Sequence, residues 1–125
     1  MEETALDLQE VWNSNQDLAE RLARERLTVA YDEDFDIFTL AIGEPRAART
    51  EEVIDGLQLR IDPMTNKLLA FEVLGFKSKY LPAHPEFLQH YRALLDEKRV
   101  QAREVLSTPE QRRCAQAAAR QLLPA

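Results

Sequence analysis

The feature that most constrains this fold is a block from Leu27 to Phe76 in which apolar and polar residues alternate. Alternation with a period of two is typical of strands that bury one face and leave the other in water. Turn-forming residues such as Asp55-Gly56 separate five alternating runs, at 27–31, 37–42, 50–54, 57–62 and 67–74. Glycine readily adopts the positive φ of tight hairpin turns. The block therefore predicts four or five short strands.

The connections between these strands restrict how the strands pair. A parallel crossover needs a dozen or more residues, and the segments between successive runs are much shorter. The strands are therefore predicted to form an antiparallel meander with one apolar face. Flanking helices are the obvious elements to cover that face.

Helical periodicity flanks the block on both sides. Apolar residues recur at three- and four-residue spacing from Leu8 to Leu22, with a polar interruption at 13–16 that leaves two short helices or one bent helix open. Thr108-Pro109, with Gln111 three residues after the threonine, is a typical helix start. A longer helix is predicted between the alternating block and Thr108. One side of it is formed by Leu88, Tyr91, Leu95, Ala102 and Val105.

These patterns predict one α+β domain over residues 1–125. It comprises a helical arm at 1–26, an antiparallel sheet at 27–77 and a C-terminal helical arm at 82–125. A chain of 125 residues is long enough to bury about two thirds of its unfolded surface. Whether the two arms fold onto the sheet or onto another chain is left open.

Composition argues against several classes of function. The net charge is −6, so the chain lacks the basic footprint of nucleic-acid binding, and only its last third is net positive. No apolar run approaches the roughly 20 residues needed to cross a bilayer. The acidic start and the single cysteine, Cys114, argue against a signal peptide and a disulfide framework. We therefore expect a cytoplasmic protein without a membrane partner.

No motif in the chain predicts a metal or cofactor site. The acidic segment from Asp32 to Asp36 begins like an EF-hand loop, but its sixth and twelfth positions hold Ile37 and Gly43 instead of Gly and Glu. We interpret it as a solvated hairpin turn. The three glycines lie near strand ends and form no phosphate-binding loop.

The remaining reactive residues have plainer interpretations. His84 and His90 lie six residues apart, whereas a zinc pair on a helix needs a spacing such as i, i+4. Cys114 is interpreted as buried in a helix interface. The carboxylates expected on the wet face of the sheet are Glu51, Glu52, Asp55 and Glu72. We predict no catalytic residue, no metal ligand and no cofactor.

An ordered set of short motifs adds a resemblance to a known family. In chain order these are Tyr31-Asp32, Asp36 before Phe38-Thr39-Leu40, Asp55-Gly56-Leu57, Asp62, and Phe71-Glu72-Val73-Leu74. The pattern, over about residues 27–77, resembles the small, mainly prokaryotic family known as domain of unknown function 2283. The resemblance implies the antiparallel sheet. It brings no established activity, cofactor or catalytic residue.

The leading hypothesis is a non-enzymatic assembly or protein-interaction module that forms a homodimer. Its candidate contact residues are Leu18, Leu22, Leu88, Tyr91 and Leu95. The alternative is a regulatory or nucleic-acid-associated protein that acts through basic residues near the C-terminus, namely Arg92, Lys98, Arg99, Arg103, Arg112, Arg113 and Arg120. A third hypothesis, an enzyme or small-ligand binder, requires the sheet carboxylates to converge in a pocket.

Overall fold

The computed structural model of the chain describes residues 8–44, 46–54, 56–95, 102–106 and 108–122. The strands of these residues are β1 (Leu27–Asp32), β2 (Ile37–Ile42), β3 (Arg49–Ile54), β4 (Leu57–Ile61), β5 (Leu68–Leu74) and β6 (Ala102–Leu106). The helices are α1 (Leu8–Ser14), α2 (Leu18–Arg24), α3 (Leu81–Ala83), α4 (Phe87–Leu94) and α5 (Pro109–Leu122), with a π-helix at Phe76–Tyr80.

The α+β architecture with an antiparallel sheet is confirmed, as are the five predicted strands. The N-terminal arm resolves into two short helices, α1 and α2. The predicted start of α5 is confirmed in detail. Gln111 donates its backbone N–H to Thr108 Oγ1 at 3.1 Å, and Thr108 donates its own to Gln111 Oε1 at 3.2 Å. Such reciprocal bonds satisfy two backbone donors that a helix start would otherwise leave unpaired.

The strand order differs from that of a simple meander. The sheet runs β3-β4-β5-β2-β1-β6, so β2 pairs with β5 and not with β3, which follows it in the chain. The composition of the strands explains this order. β5 has the sequence LLAFEVL and is buried along most of its length, which suits a central position. β3 has the sequence RTEEVI and is largely exposed, and charged residues protect an edge strand from unwanted pairing.

The sixth strand corrects a prediction. The helix predicted to carry both Leu88 and Val105 on one side is wrong, because α4 ends at Leu94 and the backbone is extended at Leu95. Residues 102–106 instead pair antiparallel with β1. This pairing gives hydrogen-bond partners to the outer edge of β1, which would otherwise be open, and it buries Leu106 to 2% exposure.

A single hydrophobic cluster lies between one face of the sheet and the helices. Alternate strand residues such as Val29 and Leu40 contribute to it, together with Val11 of α1, Tyr91 of α4 and Ala118 of α5. Both helical arms therefore cover the same face of the chain's own sheet. No helix among the described residues has both the length and the apolar character that crossing a membrane requires.

Asn15 joins the N-terminal arm to the sheet. Its side chain is 6% exposed and lies in the turn between α1 and α2. Nδ2 donates to the carbonyl oxygens of Val11 at 2.7 Å and Asn66 at 2.9 Å, and Oδ1 accepts the backbone N–H of Leu68 at 2.7 Å. A buried polar side chain is tolerated when it is hydrogen-bonded in this way. Asn15 thus positions the arm against the turn between β4 and β5.

Candidate functional site

The five predicted contact residues do not form one exposed patch. Leu22, Tyr91 and Leu95 are only 3%, 1% and 3% exposed, because they belong to the chain's own core. Leu18 and Leu88 are partly buried against that core. The first three side chains are therefore not accessible to a second molecule in this conformation, and a contact role for the other two stays a prediction.

The opposite face of the sheet has an unusual composition. We define the outer face as Thr28 and Ala30 of β1, Thr39 and Ala41 of β2, and Ala70 of β5. These positions are neighbours in the register, which pairs Thr28 with Ala41, Ala30 with Thr39, and Ala41 with Ala70. All five side chains are small and uncharged. Charged residues lie beside this uncharged centre on the same face, with Glu72 opposite Thr39 and Arg60 opposite Ala70, and Ala70 itself is buried.

The outer face forms the floor of a groove of about 280 Å³. The segment after β2 lines one side and includes Gly43, Glu44 and Arg46, while Arg60 and Glu72 line the sheet side. Gly43 has φ of +80°, and its N–H donates to the carbonyl oxygen of residue 26 at 2.7 Å. Because side chains other than glycine rarely adopt this conformation, the glycine fixes where the chain leaves β2.

The charges around the groove fall into two groups. Arg46 pairs with Asp62 at 3.3 Å, and Glu44 pairs with Arg26 at the same distance. Arg60 and Glu72 make no ion pair with any residue in the described part of the chain. Within the part of the chain that the structure describes, the sheet side of the groove therefore presents a cation and an anion without ion-pair partners.

Asp36 is not the solvated turn residue that the sequence predicts. Oδ1 accepts hydrogen bonds from the Tyr31 hydroxyl at 2.6 Å and the Lys77 N–H at 2.7 Å. Oδ2 accepts the Ser78 hydroxyl at 2.7 Å and the Ser78 N–H at 3.0 Å. Burial opposes ionisation of this carboxyl, but the four bonds prevail and lower its pKa to about 2. Asp36 thus fastens the turn between β1 and β2 to the π-helix.

The predicted sheet carboxylates do not converge. Glu51 pairs with Arg49 at 3.3 Å, Glu52 lies at a cavity near the end of the sheet, and Glu72 borders the groove of the outer face. Asp55 lies outside the described residues. The arrangement that a carboxylate-based acid–base site needs is not formed by the three described members of this set.

The structure brings together a cysteine and a histidine that lie 24 positions apart in the sequence. Cys114 Sγ is 3.6 Å from His90 Nδ1 and 3.7 Å from the His90 carbonyl oxygen. Burial raises the pKa of the Cys114 thiol. A raised pKa keeps the thiol protonated at neutral pH, which is the opposite of an activated nucleophile. The contact is therefore explained as packing between α4 and α5.

One of the basic residues near the C-terminus has a structural role. Arg112 donates to the carbonyl oxygens of Leu22 at 3.2 Å and Glu25 at 2.8 Å, and so satisfies acceptors at the end of α2. Arg92, Arg113 and Arg120 are exposed. Lys98, Arg99 and the side chain of Arg103 lie outside the described residues. Nucleic-acid binding through this region stays an alternative prediction.

The outer face was missed by sequence reasoning, although its signal is present in the sequence. The alternation that identifies the buried residues of β1 and β2 also identifies their neighbours at Thr28, Ala30, Thr39 and Ala41. The lack of charge at these four alternate positions is the sequence signal that identifies the face. No comparable pattern in the sequence predicts that His90 lies next to Cys114.

Comparisons with known proteins assign no family to the chain. No protein-family model matches the chain, and neither does a curated protein or a solved structure. The resemblance to domain of unknown function 2283 over about residues 27–77 therefore stays a prediction. Its residues lie in β1, β2, β4, β5 and the segments beside them.

Proposed function

We propose that this chain is a non-enzymatic, cytoplasmic assembly module that forms a homodimer through the outer face of its sheet. The observation that carries the proposal is the small, uncharged centre of that face, on the side of the sheet that the described helices do not cover. Small side chains favour this role because they let a second sheet approach closely. Two sheets that pack face to face lie about 10 Å apart.

A second copy is the partner that the charges favour. Most soluble homo-oligomers are closed and symmetric, and a two-fold interface brings the same patch of both copies together. Arg60 and Glu72 carry opposite charges on the sheet side of the groove, and each is free of an intrachain ion pair among the described residues. A two-fold axis that passes between Arg60 and Glu72, which are neighbours on β4 and β5, would set Arg60 of one copy against Glu72 of the other. The patch is in this sense complementary to itself.

The environments of the reactive groups support the non-enzymatic part of the proposal. The Asp36 carboxylate is occupied by four intrachain hydrogen bonds. The Cys114 thiol has a raised pKa, and Glu51 is paired with Arg49. None of these groups has the exposed and activated state that a nucleophile or a general base requires.

The proposal is tested by placing a charge at the centre of the outer face. Thr39 is the register partner of Glu72, so the substitution Thr39→Arg gives the new guanidinium an intrachain partner and preserves the fold. A dimer would have to bury that charge, which costs several kcal/mol and weakens association by a factor of about 100 or more. The matched control is Ala47→Arg, which adds the same charge at an exposed position outside the sheet.

Sedimentation equilibrium and light scattering measure the outcome. We expect a dimer for the parent chain and for Ala47→Arg, and a folded monomer for Thr39→Arg that still unfolds cooperatively but without the concentration dependence that dimerisation gives to the parent transition. A parent chain that is monomeric at every accessible concentration would refute the dimer. A Thr39→Arg variant that dimerises as tightly as the parent chain would refute the assigned face.

A further inference from the structure

A second cavity lies at the end of the sheet, where the turn between β3 and β4 meets the π-helix and the end of α5. Its volume is about 530 Å³, within the range of pockets that hold small molecules. Leu57, Val73 and Leu122 line it and are 4%, 1% and 4% exposed. Ile54, also in the lining, is 52% exposed. The cavity therefore offers an apolar interior beside an apolar surface residue.

Three polar side chains of one short segment line the same cavity. Lys79 and Tyr80 come from the π-helix, and His84 follows α3 directly. Among the described residues Lys79 makes no ion pair, and the Tyr80 hydroxyl makes no hydrogen bond. Burial and the nearby Glu86 charge raise the pKa of Tyr80 to about 12, so its hydroxyl is protonated at neutral pH. Within the described residues, this wall therefore contains one cation without an ion-pair partner and one hydroxyl without a hydrogen-bond partner.

Backbone and side-chain contacts hold the wall formed by Lys79, Tyr80 and His84 in place. Gly75 has φ of +64° at the start of the π-helix, and its carbonyl oxygen accepts the N–H groups of Lys79 at 2.8 Å and Tyr80 at 2.9 Å. Asp36 binds Ser78 within the same π-helix. The His84 ring stacks on Tyr80 with centroids 4.3 Å apart. π-Helical turns occur frequently at functional sites, and this one sets two polar side chains against the cavity.

We propose that this cavity binds a small amphipathic carboxylic acid, with the carboxylate at Lys79 and Tyr80 and the apolar body against Leu57, Val73 and Leu122. A carboxylate accepts charge-assisted hydrogen bonds from an ammonium group and a hydroxyl. Glu52, which also lines the cavity, disfavours a second anionic group on the ligand. The ligand class is therefore a monocarboxylate with a hydrocarbon or aromatic body.

Octanoate is a suitable probe. Octylamine has the same chain length and the opposite charge, so it serves as the control ligand. Isothermal titration calorimetry with the full chain is expected to show octanoate binding at least about tenfold more tightly than octylamine, because only the carboxylate accepts a bond from Lys79. The substitution Lys79→Gln is expected to weaken octanoate binding by a similar factor. Lys67→Gln removes the same charge at a position outside the cavity and should leave binding unchanged.

Occlusion of the cavity supplies a second test. Ala83 is exposed and lines the cavity, so Ala83→Trp fills space at its surface without disturbing the core. We expect this variant to keep its thermal transition and to lose octanoate binding. Equal binding of octanoate and octylamine, full binding by Lys79→Gln, or no octanoate binding at millimolar concentration would each overturn the proposal. The outer face lies apart from this cavity, so these results are independent of the oligomeric state.

Discussion

Asp36 provides the sharpest test of the energetics of this fold. The substitution Asp36→Asn keeps the shape of the side chain but replaces an acceptor of four hydrogen bonds by a group that has only one acceptor oxygen. In either orientation the new amide NH₂ faces N–H or O–H donors, either those of Ser78 or those of Tyr31 and Lys77. The backbone N–H of Lys77 or of Ser78 then loses its acceptor, whereas the facing hydroxyl can turn to accept a bond from the amide.

The magnitude of the effect can be estimated from the shift in the carboxyl pKa or from the lost hydrogen bonds, which describe the same four contacts. The carboxyl pKa falls from its usual 3.8 to about 2, and each unit corresponds to 1.36 kcal/mol, which sets an upper limit of about 2.4 kcal/mol. Solvent screening of this partly exposed group reduces that value to about 1 kcal/mol. Counting the lost hydrogen bonds instead also gives about 1 kcal/mol. We therefore expect Asp36→Asn to lower the free energy of unfolding by about 1 kcal/mol at pH 7.

The pH dependence separates this explanation from a general loss of packing. Because the pKa is lower in the folded chain, the ionised carboxylate stabilises the fold above about pH 4, and that stabilisation is lost as the pH falls toward 2. Urea unfolding of the parent chain and of Asp36→Asn should thus give a difference at pH 7 that shrinks near pH 2. Asp34→Asn, at an exposed position of the same turn, is the control and should change stability little. A difference below about 0.5 kcal/mol at pH 7, or one that is the same at both pH values, would refute the reasoning.

Two further substitutions test the connections around the sheet by urea unfolding. Asn15→Ala leaves the buried backbone N–H of Leu68 without its acceptor, so we expect a loss of about 2 to 3 kcal/mol, whereas Asn13→Ala at an exposed position should cost much less. Equal effects of these two changes would contradict the joining role of Asn15. Gly43→Ala forces a side chain into φ of +80° and sets its Cβ 2.9 Å from Glu25 Oε1, so we expect a loss of about 1 to 2 kcal/mol. An unchanged or higher stability would show that the turn does not require glycine.

Local patterns in the sequence were sufficient to predict most of the elements. β4 is identified by Leu57, Leu59 and Ile61, which alternate with polar residues and are all buried. The start of α5 is identified by Thr108, whose side chain bonds a backbone N–H three residues later. Both signals depend on residues close together in the chain. Such signals survive in the structure because the tertiary packing agrees with them.

The features that escaped prediction depend on distant parts of the chain. The run AREVL of β6 is too short for its period to decide between helix and strand, and its pairing with β1 decides the matter. The role of Asp36 depends on partners 41 and 42 positions later in the chain. The apolar stripe of α4 predicts that Tyr91 is buried, but it does not say against which chain. Sequence reasoning therefore predicted the elements well and the candidate site poorly.

The position of Asp36 also bears on how the two halves of the sheet find their alignment. β2 and β5 come from different hairpins. At one end of their pairing Ile37 lies opposite Leu74, directly beside the Asp36 contacts to residues 76–78. A slip of two residues between these strands would keep every apolar side chain on the correct face, so hydrophobic burial discriminates against it only weakly. The same slip would displace Ser78 from Asp36 by about 7 Å and break all bonds between them. The Asp36 carboxylate, at the end of the pairing between β2 and β5, thus selects one strand register among those that the apolar pattern allows.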